Sequence, residues 1–396
     1  MKKKKLLVIA STFPRWRNDV VPPFVYELSK RLTKNFAVFV LAPHSQNAKK
    51  KEIMDGMKIF RFKYWFGENL VADGAILPNL RKNKLYWIQV PFFLISELIC
   101  AYKIIKKNKI NLVHAHWIIP QGFMVVILKK IFFPNLKIIV TSHGGDVFGM
   151  QKLNFLKRKI INNSSSMTVV SSAIKEKIRR LKIRKDLPIH IISMGIDTTL
   201  FNSDKKDNLI RKKYEIKGLF ILFVGRLSEK KGVKYLIQAM PYILKKKPEA
   251  KLIILGDGEN RKELKRQVDQ KKLNDSVKFL GFVPNNMTNK FFATADIFVG
   301  PSIIAPGGDT EGFGLVFVEA MASGCVTIAS DLPAIHDIIT HKKTGFFVPM
   351  KKPYAIAKII ININFKTVRK IKNNAIKKAK EFDWKIISQK YKEVLI

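Results

Sequence analysis

The chain has little acid. Across 396 residues, 30 Asp and Glu stand against 73 Lys and Arg, a formal net charge of +43. It has only two cysteines, Cys100 and Cys325, both in apolar surroundings and without metal-ligand spacing. That excludes a disulfide framework and a cysteine zinc site, and it suits a reducing cytoplasm. Long hydrophobic runs are missing too, and none reaches the roughly 20 residues of a membrane-spanning helix. The opening MKKKKLLVIAST imitates a signal peptide, but its apolar core is too short and Pro14 and Arg15 follow at once. It reads better as a first buried strand. Basic–aromatic RNA motifs, zinc-finger spacing and a helix-turn-helix signature are all lacking. The lysines are spread through every segment and not gathered on one face, which argues against a nucleic-acid partner. Two other origins of the charge stay open. One is attraction to anionic lipid head groups; the other is compositional drift, to which the abundant Lys, Ile and Asn also point.

What is present is a chain long enough for two domains, each with its own core. Its densest stretch is GGDTEGFGLVFVEAMASGCVTIASDLPAIHDII, in which Glu311 and Glu319 lie eight positions apart. Gly312 and Gly314 precede a helical run, where they let the backbone turn and approach a ligand, and the helix start offers free N–H groups to an anion. Leu315, Val318 and Ala322 repeat at helical spacing, Gly324 is a natural stop, and Val326–Ile328 reads as a buried strand. Glu319 is the anomaly, because a helix apolar on almost every face should not carry a carboxylate without a partner. A ligand hydroxyl is one such partner; a backbone group in a ligand-free loop–helix–strand unit is the other.

EGFGLVFVEAMASG resembles the Glu-x7-Glu motif of the retaining glycosyltransferases of family 4. That resemblance implies an α/β GT-B fold, two Rossmann-like domains facing each other across a deep cleft with a C-terminal helix crossing back to the first. The similarity covers nearly the whole chain, dense from Phe220 to Pro349 and looser before Lys137. The expected division is residues 1–200 for an acceptor-binding domain, 201–378 for a nucleotide-sugar donor-binding domain, and 379–396 for the crossing helix. The resemblance also implies a metal-independent hexosyltransferase without a cofactor, using a UDP or GDP sugar. Its acceptor would be a glycan or a lipid-linked glycan, in polysaccharide or glycolipid synthesis, on the cytoplasmic side of the cell membrane and peripheral to it.

Taken in order, strand Leu6–Ala10 leads into FPRWRNDVVPPFVYELSKRL, a loop without the glycines usual in the family, with Pro22 and Pro23 before a helix Phe24–Leu32. FPR…ND…FV.EL is similar to a subgroup associated with exopolysaccharide assembly, and Arg15, Arg17 and Asp19, with Asp146 farther on, are candidates to face the acceptor. The apolar helical stretch Leu85–Lys107, broken by Pro91, is either a core helix or a surface dipping into lipid; exposed tryptophan and phenylalanine would decide. In NLVHAHW, alternation puts His114 and His116 on one face, and they read as structural because a metal needs further ligands. The strand KIIVTSHGGDVFG ends in His143 and Asp146 and resembles the family's HG-x-D segment, whose histidine approaches the donor sugar. A Ser142–His143–Asp146 hydrolase triad is disfavoured, since adjacent strand residues point to opposite faces.

In the second half, FILFVGRLSEKKGVKYLIQAM places Gly225 and Arg226 after a strand and Lys231 at the opening of the next helix. Two fixed cations there form a diphosphate clamp, helped by helix-end N–H groups; the family carries its GR…KG pair for that purpose. Asp257 resembles a G-x-G segment at the nucleotide base. By resemblance Glu319 binds the ribose hydroxyls, Glu311 with the N–H groups of Phe313 and Gly314 holds the sugar hydroxyls, and His143 sits against the sugar's other side. The competing readings are a basic nucleic-acid-binding protein on an α/β scaffold and a GT-B sugar-nucleotide epimerase.

Overall fold

The computed structural model describes residues 3–17, 19, 23–71, 76, 79–80, 83–364 and 368–396. Pro22 and Asn18 of the first loop lie outside the described residues. The chain forms two units, Met1–Met194 with Trp384–Ile396, and Gly195–Asp383. They divide a few residues from the expected positions. Ile196 bridges to Asp383, and Thr198 donates its backbone N–H and its hydroxyl to the Asp383 carboxylate, so both segment ends belong with the second unit.

The first unit begins with β1 (Lys4–Ile9), whose Leu6, Leu7, Val8 and Ile9 are fully buried. A strand apolar on both faces must be covered on both, which a parallel sheet flanked by helices provides. Helix α1 (Phe24–Leu32) follows, then β2 (Phe36–Pro43), β3 (Lys51–Met54) and β4 (Met57–Phe62). After α2 (Gln89–Asn108) come β5 (Leu112–His116), α3 (Phe123–Ile131), β6 (Lys137–Ser142), the single turn α4 (Gly145–Phe148), β7 (Ser166–Val169) and β8 (Ile189–Ile191). The sheet order is β3-β4-β2-β1-β5-β6-β7-β8, parallel except for β3. Connections reverse direction between β1 and β5, which opens a crevice at the carboxyl ends of those strands.

Helix α2 corrects two expectations. Pro91 does not break it, because it falls in the first turn, where no helical N–H partner is needed. Against the expectation that no apolar run is long enough, Lys84–Asn108, with the preceding turn, is long and apolar enough to cross a membrane, with a mean hydropathy of 1.6 over an 18-residue window that is one-third buried. Phe93, Glu97, Ala101, Ile104 and Ile105 turn inward. Leu85, Ile88, Phe92, Ile95 and Ile99 lie on the opposite stripe, three or four residues apart and each 46–69% exposed. Trp87 is 57% exposed and Phe66 wholly so.

The second unit carries β9 (Phe220–Val224), α5 (Val233–Lys246), β10 (Lys251–Leu255), β11 (Val277–Gly281), β12 (Ile297–Gly300), α6 (Leu315–Ala322), β13 (Val326–Ser330), β14 (Phe346–Val348) and α7 (Pro353–Asn362). Its order is β11-β10-β9-β12-β13-β14, parallel throughout, with the switch between β9 and β12. Its core is Ile221, Phe223, Leu236, Ile237, Met240, Leu252 and Ile254, closed by Ile356 and Ile360 of α7. The last helix, α8 (Trp384–Leu395), packs on the first unit. There the buried Tyr391 hydroxyl donates to the Ile192 carbonyl at 3.1 Å, and the Arg31 guanidinium lies 5.1 Å over the Trp384 ring.

Candidate functional site

In the second unit the chemistry gathers at the switch point. Gly232 has φ +63°, and a Cβ there would lie 2.0 Å from the Pro301 carbonyl oxygen, so only glycine lets the loops after β9 and β12 meet. Ile303 N–H donates to the Lys230 carbonyl at 2.7 Å across that contact. The meeting lays two lysines along Asp309–Glu311. Lys231 Nζ is 2.6 Å from Glu311 Oε2, with the two side chains 17% and 12% exposed, and Lys230 Nζ is 3.1 Å from Asp309 Oδ1. Burial alone would raise the Glu311 carboxyl, but Lys231 and Lys230, with a hydrogen bond from Ser302, hold it below the usual carboxylate range. Glu311 is therefore ionised.

Glu319 is in the opposite condition. Gly314, at φ +96°, starts α6, and Glu319 lies in the helix's second turn, half-buried. Its carboxyl makes no hydrogen bond to the described residues, and burial raises it to about 7. The helix thus presents one carboxyl without a protein partner, at the position where composition had no use for one. Phe313 is buried against Phe382, with ring centroids 5.5 Å apart, which fixes the chain between the two glutamates. Gly312 precedes it, and Leu315 is the first helical residue, half-buried.

Two expectations change. Arg226 and Lys231 are not an equivalent pair: Lys231 is held by Glu311, whereas Arg226 is 41% exposed and its Nε lies 3.2 Å from the exposed Glu259. Lys231 does not open the next helix but ends a short turn, Glu229–Lys231, two residues before α5. Asp257, expected at the nucleotide base, has a carboxylate that accepts from Arg261 and from the Gly258 N–H, each at 2.7 Å. Gly225 spends its N–H on the Leu255 carbonyl, joining the ends of β9 and β10.

In the first unit His143 follows β6, half-buried, with its Nε2 2.9 Å from His116 Nδ1 at the end of β5. Burial lowers both imidazoles, His143 to about 3, so both are neutral. Trp117 and Phe24 flank His143, with ring centroids at 4.8 and 5.0 Å. Trp117 holds φ +75°, a conformation that costs a large side chain about 1–3 kcal/mol and is typically kept at functional positions. His116, Trp117 and Phe24 do not stand out in the sequence as neighbours of His143. The available signal was the alternation along β5 together with its parallel register, His116 opposite Thr141, which brings the ends of β5 and β6 together.

Asp146, an acceptor candidate in the sequence, is hydrogen-bonded within the first unit. It is 3% exposed, and its carboxylate accepts from Ser142 Oγ at 2.7 Å and the Ile118 N–H at 2.8 Å. In the first loop Asp19, 1% exposed, takes the Arg15 guanidinium and backbone N–H, so the two brace the loop; neither is placed to meet an acceptor with its charge uncommitted. Arg17 is 69% exposed, 3.4 Å from Asp55. Among the described residues, no group of three His, Cys, Asp or Glu could hold a metal ion. A groove of about 600 Å³ lined by Lys137, Ser166, His190 and Lys390 lies at the amino ends of β6–β8, the wrong edge for a crevice of this fold.

Comparison with known proteins decides the family. Residues 22–200 match the model of Glycosyltransferase Family 4, and residues 205–382 match that of Glycosyl transferases group 1. An uncharacterised glycosyltransferase of Methanocaldococcus jannaschii is 30% identical over 313 residues, 73% of this chain and 78% of that one. The chain belongs to glycosyltransferase family 4. The amylovoran biosynthesis glycosyltransferase AmsK of Erwinia amylovora is 27% identical over 282 residues, 70% of this chain and 67% of its own. Among solved structures, sucrose-phosphate synthase from Thermosynechococcus elongatus aligns with a TM-score of 0.78 at 20% identity, covering 99% and 98% of the two chains. Anabaena HepE in complex with UDP and glucose aligns at 0.75 and 20%, covering 99% of each. The family 4 chain thus has the GT-B fold along its full length and is a transferase with relatives in polysaccharide synthesis.

Proposed function

We propose that this glycosyltransferase moves a hexose, with retention and without a metal, from a UDP or GDP sugar to a glycan or lipid-linked acceptor. The observation that carries the reading is the contrast on one segment of the second unit, with Glu311 ionised on Lys231 and Glu319 open on α6. Glu319 accepts the ribose hydroxyls, and Glu311 with the N–H groups of Phe313 and Gly314 orients the sugar. Arg226 and Lys231 stabilise the diphosphate as negative charge develops on it. The second unit is then the donor-binding one and the first the acceptor-binding one, with His143 against the sugar. The anomeric carbon–oxygen bond to the β-phosphate breaks, the acceptor hydroxyl oxygen bonds to that carbon from the same face, and its proton passes to the leaving phosphate oxygen. Calorimetric titration with UDP, GDP and ADP, repeated on Glu319→Ala, tests this. One tight nucleotide, weakened at least tenfold by the substitution, supports it; equal binding by both proteins removes Glu319 from the site.

The exposed stripe of α2 favours a peripheral position on an anionic membrane. Phe92 and Trp87 are exposed, and Lys103, Lys106, Lys107 and Lys109 are exposed at the helix's C-terminal end. Between Gly74 and Gly145 the only acidic residue is Glu97, and it is buried. Apolar side chains with a lysine cluster and no exposed acid match an acyl boundary under anionic head groups. We infer from this a peripheral position on the cytoplasmic face, the leaflet that carries the anionic lipids. Salt-sensitive flotation with anionic but not zwitterionic vesicles is the expected result, and no flotation at low salt refutes it.

A further inference from the structure

His116 is fully buried, yet its Nε2 has no hydrogen-bond partner, while its Nδ1 lies 2.9 Å from His143 Nε2. The ring planes are 15° apart and the centroids 5.2 Å apart, and with the two nitrogens at 2.9 Å that spacing makes the contact edge to edge. With both imidazoles neutral, each ring carries one N–H and one lone pair, and a single choice fixes both rings. If His143 Nε2–H donated, His116 would bury an N–H at Nε2 with nothing to receive it. If His116 Nδ1–H donates, the bare Nε2 is only an unfilled acceptor, and buried N–H groups go unpaired more rarely than acceptors do. Neighbours do not alter this. His114, with ring centroid 4.2 Å away, directs its own Nε2 at Thr141 Oγ1, 2.6 Å off.

We propose that His116 is a positioning residue that donates from Nδ1 to His143 Nε2 and thereby holds His143 as its Nδ1–H tautomer. The only hydrogen bond His143 makes to the described residues is the one at Nε2, and the residue is half-buried, so the Nδ1 proton is left for a ligand. His143 then acts on its ligand as a neutral hydrogen-bond donor to an oxygen lone pair, not as a base. Trp117 and Phe24 hold the ring in that plane. The role in turnover rests on the reading of His143 as a donor-sugar contact; the tautomer does not.

Nitrogen-15 NMR of histidine-labelled full-length protein, with His143 assigned through His143→Gln, reads the tautomer directly. Wild type is expected as Nδ1–H. His116→Asn, whose amide N–H overlays imidazole Nδ1, keeps that tautomer and rescues kcat to within about threefold. His116→Phe moves His143 toward Nε2–H and lowers kcat at least tenfold with nucleotide affinity unchanged, which also shows that the protein is folded. His143 found as Nε2–H in wild type, or His116→Phe with unchanged tautomer and kcat, overturns the proposal. The expected tautomer shifts with a His143→Ala kcat near wild type would leave His116's positioning role intact and refute only the sugar contact.

Discussion

Replacing Lys231 by Met should unsettle the second unit far more than its place in a loop suggests. Lys231 Nζ and Glu311 Oε2 are 2.6 Å apart with both side chains largely buried. Removing one member of such a pair leaves the other desolvated and uncompensated, at a cost of about 3–5 kcal/mol. Lys230 and Ser302 remain as partial partners of Glu311, so the lower end, about 3 kcal/mol, is expected. For a unit of this size that is a fall in Tm of roughly 6–12 °C. Glu311→Gln in the Lys231→Met background should recover at least half of it, because the neutral amide no longer needs the cation. The pH dependence has a fixed sign. Glu311 is held below its unfolded pKa, so its contribution is present above that value and lost as pH falls through the folded one. The gap between wild type and Lys231→Met should therefore narrow below about pH 5. Scanning calorimetry of both variants checks this. A loss under about 1 kcal/mol at neutral pH, or a gap that widens in acid, refutes the buried-pair argument.

Arg226→Ala should behave oppositely: its exposed pair with Glu259 is worth about 0–1 kcal/mol, so Tm hardly moves while kcat drops at least tenfold, and steady-state kinetics with an unchanged kcat would remove it from the diphosphate clamp. Glu319 is raised to about 7 by burial, so its folded pKa exceeds the unfolded one and the free protein loses stability as pH rises toward neutrality. A hydroxyl-donating ligand prefers the carboxylate, so nucleotide affinity should climb with pH up to about 7 and then level off, and the climb should vanish in Glu319→Gln; titration at a series of pH values decides. Phe92→Ser with Ile95→Ser, both near half exposed, should weaken anionic-vesicle binding by about 2 kcal/mol, near 30-fold, and leave nucleotide binding alone. A cosedimentation curve that does not move would place the membrane contact elsewhere.

The two sheets were legible because parallel strands buried on both faces write themselves as continuous apolar runs. Leu6–Ala10, Phe220–Val224 and Val326–Ile328 need no partner information to be recognised. Helix α2 was legible in extent but not in consequence. Its inward and outward stripes are both apolar, and a helix apolar all round gives no moment to say which side meets the sheet. Only the packing shows that Phe93 is inside while Phe92, one residue earlier, is out.

The candidate site divides the same way, and for a reason that reaches past this chain. Residue types and spacing carry what a backbone must do locally. Gly314 before α6 adopts the positive φ that its reading as a turn glycine requires. Whether a charge is available or already committed depends on partners distant in sequence, which spacing does not record. Arg226 and Lys231 are five residues apart, and one meets Glu259 at the surface while the other meets Glu311 in the interior. Asp146 is spent on the Ile118 N–H, 28 residues upstream. His116 passes for structural until β5 and β6 are laid side by side, whereupon it becomes the one side chain hydrogen-bonded to His143 among the described residues. A motif therefore locates a site well before it apportions the work within it, and variants that separate Lys231 from Arg226, and His116 from His143, address the part that the motif leaves open.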